Sequence, residues 1–158
     1  MKAHQKTIGL NDEWLTPPEI IQALGDFDLD PCAPSVRPWS TARRHIALPA
    51  DGLNSKWEGR VWLNPPFNRY IRPLWMQKMA EHGQGIMLIP AATETEAFHA
   101  HVWERANSVL FMRGRPHFHF IDGTRADANS GTAIVLVSYS DVDTDVLQKS
   151  GLGKVVMI

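Results

Sequence analysis

Val61-Trp62-Leu63-Asn64-Pro65-Pro66-Phe67 is the stretch whose reading decides the fold. Three apolar residues in a row, closed by turn formers, read as a short buried strand. Proline has no N–H to give to a sheet ladder, so the Pro65-Pro66 pair halts the strand abruptly. An amide (Asn64), a rigid turn with free carbonyls and an aromatic ring (Phe67) then stand at the strand's carboxyl end. In open α/β sheets, ligands bind outside the carboxyl ends of the strands.

The flanks support such a sheet. Upstream, Thr16-Pro17-Pro18-Glu19 predicts a helix start, with Thr16 as cap, Pro17 in the first turn and Glu19 closing a capping box. That helix runs through Ile20, Ile21, Ala23 and Leu24 to Gly25. Phe27–Asp30 reads as a strand ended by Pro31, and residues 31–57 are irregular, with a short strand around His45–Leu48. Downstream, Ile71–Glu81 has apolar residues at helical spacing (Ile71, Leu74, Trp75, Met79). Strands are expected at Gly85–Pro90, Ser108–Met112 and Thr132–Tyr139, and a helix over Glu94–Ala106. His117–Ile121 reads as a short strand, Asp143–Lys149 as a weak helix and Val155–Ile158 as a last strand. Strand alternating with helix implies a mostly parallel, Rossmann-like sheet, and the shorter later links imply an antiparallel edge.

At 158 residues the chain suits a single domain spanning 1–158, with the polar residues 1–12 expected to be flexible. There is no internal repeat, no apolar run long enough for a bilayer and no signal-peptide pattern. One cysteine, Cys32, excludes an internal disulfide and fits a reducing, cytoplasmic setting. The formal net charge of −1 excludes a globally basic nucleic-acid binder, so any such partner must be met by a local patch.

The Asn-Pro-Pro-aromatic set has a specific chemical use. The exocyclic amine of adenine is a poor nucleophile because its lone pair is delocalised into the ring. An amide oxygen and a backbone carbonyl that accept from its two N–H groups favour a more tetrahedral nitrogen and stabilise developing charge. Phe67 can hold the base by stacking, worth about 1–3 kcal/mol. The plainer alternative is a Pro-Pro loop beside a core phenylalanine.

The heptapeptide resembles motif IV of S-adenosylmethionine-dependent amino-methyltransferases. Five further stretches occur in the same order as in the short phage- and prophage-encoded DNA N6-adenine methyltransferases (Dam-like): Glu13-Trp14-Leu15-Thr16-Pro17, Asp28-Leu29-Asp30-Pro31-Cys32-Ala33, Asp51-Gly52-Leu53 with Trp57 behind it, Ile89-Pro90-Ala91 and Arg113-Gly114-Arg115. One such match is weak and six in order are strong. The resemblance implies a compact methyltransferase fold and S-adenosyl-L-methionine as cofactor. It implies Asn64, Pro65, Pro66 and Phe67 as the catalytic set. Trp14, Thr16, Pro17, Asp30, Pro31, Cys32, Ala33, Asp51 and Asn64 would hold the cofactor. The substrate implied is DNA with a flipped-out adenine, and the setting a host cytoplasm where a phage modifies its DNA against restriction. The usual Gly-x-Gly of the cofactor loop is absent, replaced by Ala33-Pro34-Ser35, and no acid for the cofactor ribose is evident. Taken alone, Thr16-Pro17 is also an ordinary helix start and Asp51-Gly52 an ordinary turn.

Arg69, Arg72, Arg113, Arg115 and Arg125 follow strand ends on the side of Asn64, with Arg37, Arg43 and Arg44 in the irregular stretch. Together they can form a positive rim for phosphates, or be merely solvated. His117 and His119 share a strand face but lack further ligands, so no metal is expected. Cys32 is not placed as a cytosine-type nucleophile, because it lies in the cofactor loop and not after the motif IV strand. Other acceptors that suit the Asn-Pro-Pro-aromatic set are a base in RNA and a protein glutamine amide. A non-catalytic DNA-masking protein is the reading from another class.

Overall fold

A computed structural model describes residues 13–158. Its elements are α1 (Pro18–Leu24), β1 (Leu29–Asp30), β2 (Arg44–His45), β3 (Val61–Leu63), α2 (Arg72–His82), β4 (Gly85–Pro90), α3 (Glu96–Phe98), β5 (Ser108–Met112), β6 (Ile134–Ser138), α4 (Asp141–Lys149) and β7 (Gly153–Met157). The polar lead-in expected over 1–12 lies outside the described residues.

All seven strands form one sheet in the order β2-β1-β3-β4-β6-β5-β7. β2, β1, β3 and β4 are mutually parallel neighbours. β6 pairs antiparallel with both β4 and β5, and β7 antiparallel with β5. The sheet is therefore mixed α/β, with a parallel core and an antiparallel part that reaches inward to β4 and is not confined to an edge. β3 and β4 are buried along their whole lengths, as strands covered on both faces must be.

Side chains alternate across the sheet into two cores. On one face Leu63, Met87, Ile89 and Val135 pack with Trp75, Met76 and Met79 of α2 and with Phe98 and Val102. On the other, Trp62, Ile86, Leu88 and Leu136 pack with Ile20 and Leu24 of α1 and Leu147 of α4. α4 is keyed in by charge as well. Buried Asp143 accepts from Arg60 Nε at 2.6 Å and from the Gly85 backbone at 2.9 Å. The Arg60 guanidinium also lies 4.1 Å from the centre of the Phe27 ring.

Four expectations need correction. Thr16 does not cap α1: the capping position is Pro17, with no side-chain cap, and the chain turns through a bond from Ile20 N to Pro17 O. In α2 the buried face is Trp75, Met76, Met79 and Ala80, while Ile71 and Leu74 are 43% and 54% exposed. The helix expected over Glu94–Ala106 is regular only in α3. It continues as a π turn over His99–Trp103, which keeps Phe98 and Val102 on the core side. His117–Ile121 is not a strand. His119 makes isolated bridges to Leu15 and Arg125. The pairing cannot extend along the first partner, because Leu15 is followed by Thr16 and then two prolines without N–H groups.

Candidate active site

β3 ends at Leu63, and Asn64 emerges half-buried at its carboxyl end. The Asn64 Nδ2 group donates to Thr16 Oγ1 at 3.2 Å. No hydrogen bond from the described residues reaches Asn64 Oδ1, so the amide oxygen is the atom left for a ligand. Pro65 is buried and Phe67 half-buried. Arg72 Nη1 donates to the Phe67 carbonyl at 3.1 Å, which ties the loop to the first turn of α2. Burial of that guanidinium lowers its pKa from the usual value.

The walls of the cleft come from the loops after β1 and before β3. The cavity measures about 1090 Å³ and is bordered by Pro31, Cys32, Ala33 and Pro34, by Ala50–Leu53, by Asn64–Asn68 and by Trp75. It lies outside the carboxyl ends of parallel strands, where the sheet type favours a ligand. The loop after β1 and the loop at 50–53 touch closely at Gly52. A Cβ there would stand 1.9 Å from the Pro31 carbonyl oxygen and 2.9 Å from the Trp75 ring. Only glycine lets these backbones approach so far. Asp51 is exposed on the cleft border, accepting from Leu53 N at 2.9 Å and from Asn54 Nδ2. These bonds, that of Asn54 first, hold its carboxyl below the usual range.

Asp30 stands behind the loop, 2% exposed. It accepts from Cys32 N at 3.1 Å and from the Thr41 hydroxyl, and so fixes the turn that follows β1. Burial raises its pKa to about 6, against the opposing effect of those bonds and of Arg37. Burial, with Asp30 and Glu13 nearby, pushes the Cys32 thiol up to about 12. Such a thiol carries almost no thiolate at neutral pH and is no nucleophile.

The opposite wall is aromatic. Phe67 meets Phe118 edge-on with ring centres 5.9 Å apart. Trp14 and Phe120 lie 5.0 Å apart. All four rings border the cleft, together with Arg125 and Ala126–Ser130. The segment is anchored by its own backbone, with Ala126 N bonded to Phe118 O at 2.9 Å and Ser130 N to Pro116 O at 2.8 Å.

A family model for DNA N-6-adenine-methyltransferase (Dam) matches residues 4–145. The chain belongs to that family. This methyltransferase modifies the N6 amine of adenine in DNA. No curated protein and no solved structure matches it.

The methyltransferase brings Trp14, Pro31, Cys32, Ala33, Asp51, Asn64, Pro65, Pro66, Phe67 and Arg125 to one cleft. Thr16, Pro17 and Asp30 do not border it; Thr16 and Asp30 stand behind residues that do. The arginines divide. Arg69, Arg113, Arg115 and Arg125 are exposed, whereas Arg72 is half-buried against the Phe67 carbonyl. Arg69 also donates to the Tyr70 hydroxyl at 2.7 Å. His117 and His119 bond through Nδ1 to the carbonyls of Ala126 and Gly123, both at 3.0 Å. Among the described residues no group of three or more His, Cys, Asp or Glu could hold a metal ion.

Phe118, Phe120 and the clamp of Glu13 on Ser35 were missed by sequence reasoning. Ser35 donates to Glu13 through both its backbone N, at 3.0 Å, and its hydroxyl, at 2.9 Å. The signal for the two phenylalanines was available. They alternate with His117 and His119, and it is this aromatic set, not the imidazoles between, that walls the cleft.

Proposed function

We propose that this methyltransferase takes its methyl group from S-adenosyl-L-methionine held between the loops at 31–34 and 50–53. When bound, that cofactor supplies an electrophilic sulfonium methyl. The residues present fit it. Pro31, Ala33, Pro34, Leu53 and Trp75 make an apolar slot suited to a purine, and the Asp51 carboxylate at its border can accept from a purine amine. The close contact of Gly52 with Pro31 gives the slot a fixed width.

The target adenine must leave the base stack, because its reacting face is closed in the duplex. Asn64 Oδ1 and the Pro65 carbonyl accept from the two N–H groups of the amine. Phe67 stacks on the base, backed edge-on by Phe118. The surplus proton leaves to solvent, and no ionised base is needed. Arg69 and Arg125 stand nearest the catalytic loop and the cleft, as the first phosphate contacts, with Arg113 and Arg115 further out. The supporting observation is that one cleft is bordered by both the cofactor-side loops and the Asn64–Phe67 loop. Residues 1–158 work as a single domain on this reading, in the reducing cytoplasm where DNA and donor meet.

The test is transfer of labelled methyl to adenine-containing DNA, with RNA, a glutamine-bearing protein and adenine-free DNA as controls. Asn64→Ala should lower turnover at least about a hundredfold, as loss of a transition-state hydrogen-bond partner does. Its affinity for S-adenosylhomocysteine should change by less than about threefold, under 1 kcal/mol. Turnover that survives while this affinity collapses would sink the role given to Asn64.

A further inference from the structure

The Thr16 hydroxyl, 2% exposed, accepts two N–H groups, from Trp62 Nε1 and from Asn64 Nδ2, each at 3.2 Å. We infer that Thr16 is a positioning residue for catalysis: its hydroxyl holds Asn64 Nδ2 and so presents Oδ1 to the target amine. The inference rests on the reading of Asn64 given above.

A hydroxyl oxygen has two lone pairs, and both are used here. Trp62 is fully buried, and its indole N–H is a donor only, so it marks the Thr16 oxygen as an acceptor. Asn64 follows Trp62 by two residues, so both side chains leave the same side of the chain and reach one oxygen. Thr16 itself is held from both sides. Its carbonyl accepts from Trp39 Nε1 at 3.1 Å. The preceding residue, Leu15, exchanges backbone bonds with His119 at 2.8 and 3.1 Å. Pro17 follows, whose ring fixes its own φ. The oxygen therefore has a defined place before any ligand arrives. A turned amide would aim its NH₂ at the target's own N–H groups, donor against donor. The Thr-Pro resemblance ties Thr16 to the cofactor, and the two roles separate by experiment.

Thr16→Val keeps the shape and removes the oxygen, whereas Thr16→Ser keeps the oxygen. The readouts are steady-state kinetics on adenine-containing DNA and calorimetric affinity for S-adenosylhomocysteine. Thr16→Val should lower kcat about tenfold or more, the effect of one hydrogen bond lost where it orients the reaction. KM for the methyl donor and affinity for S-adenosylhomocysteine should stay within about twofold, and Thr16→Ser should recover most of kcat. If Thr16→Val does not fold, Thr16→Cys, with a similar volume and a weak acceptor, takes its place against Thr16→Ser. Unchanged kcat in the variant without the oxygen overturns the inference. So does unchanged kcat with weakened affinity, which would make Thr16 a cofactor contact. Activity retained by Asn64→Ala removes the underlying reading instead, so the two failures are distinguishable.

Discussion

A carboxyl group almost closed to water stands at Asp30, where it accepts from two donors, Cys32 N and the Thr41 hydroxyl. Its folded-state pKa of about 6 lies above its ordinary value of 3.8. A raised acid pKa means that the folded state holds its proton more tightly than the unfolded chain does. Its stabilising contribution is therefore full below about pH 4 and is lost as pH rises through about 6. Urea unfolding from pH 4 to pH 7 should show wild type losing stability relative to Asp30→Asn, by on the order of 3 kcal/mol at most. A parallel course for the two proteins would show that Asp30 does not titrate in this window. Such a partner set was illegible in the sequence, since Thr41 is eleven positions from Asp30. The same limit explains Thr16. A Thr before Pro-Pro-Glu has every local mark of a cap, but the Trp62 and Asn64 N–H groups that take its hydroxyl lie 46 and 48 positions away. The place of Asn64 at a strand end was legible, because it follows from the apolar run before it and the two prolines after it.

Among elements, the loops at 31–34 and 50–53, between which we propose the cofactor lies, meet at Gly52 with no room for a side chain. Gly52→Ala would drive a methyl group into the Pro31 carbonyl and the Trp75 ring. Overpacking of this kind costs about 1–3 kcal/mol. Part of it should appear as weaker ligand binding, since the displaced atoms border the slot. Calorimetry should show affinity for S-adenosylhomocysteine falling about tenfold, or 1.4 kcal/mol, together with a lowered Tm. Unchanged affinity would place the slot elsewhere in the cleft. Unbroken apolar runs with clear stops, such as β4 and β5, were read with the bounds they have. The segment His117–Ile121 was not, because its pairing depends on Leu15 and Arg125, outside its own sequence. The turn at His99–Trp103 was missed for a different reason. A π turn preserves the burial of Phe98 and Val102, so the apolar pattern cannot tell it from an ordinary helix.

For the molecule as a whole, the parallel and antiparallel parts of the sheet are joined by β4 and by the Arg60–Asp143 pair. Asp143 is 1% and Arg60 14% exposed in their side chains, so removal of one leaves a poorly solvated charge. Asp143→Ala should destabilise by about 3–5 kcal/mol. Because the pair joins α4 to the start of β3, unfolding should remain a single transition at a lower urea midpoint. Two separated transitions would instead divide the chain into independent parts. The mixed sheet could be expected from the order of strands and helices. The insertion of β6 between β4 and β5 could not, since only contacts between distant segments choose a strand's neighbours. A net charge of −1 also bears on counterion release when DNA is bound. A chain so nearly neutral exerts little long-range pull on DNA, and each phosphate neutralised adds about −0.9 to the slope of log affinity against log salt. Were Arg69, Arg113, Arg115 and Arg125 all to meet phosphates, the slope would reach only about −4. Binding of that kind survives a rise in ionic strength that strips a strongly basic protein from DNA, and holding the target then falls to the cleft more than to the rim.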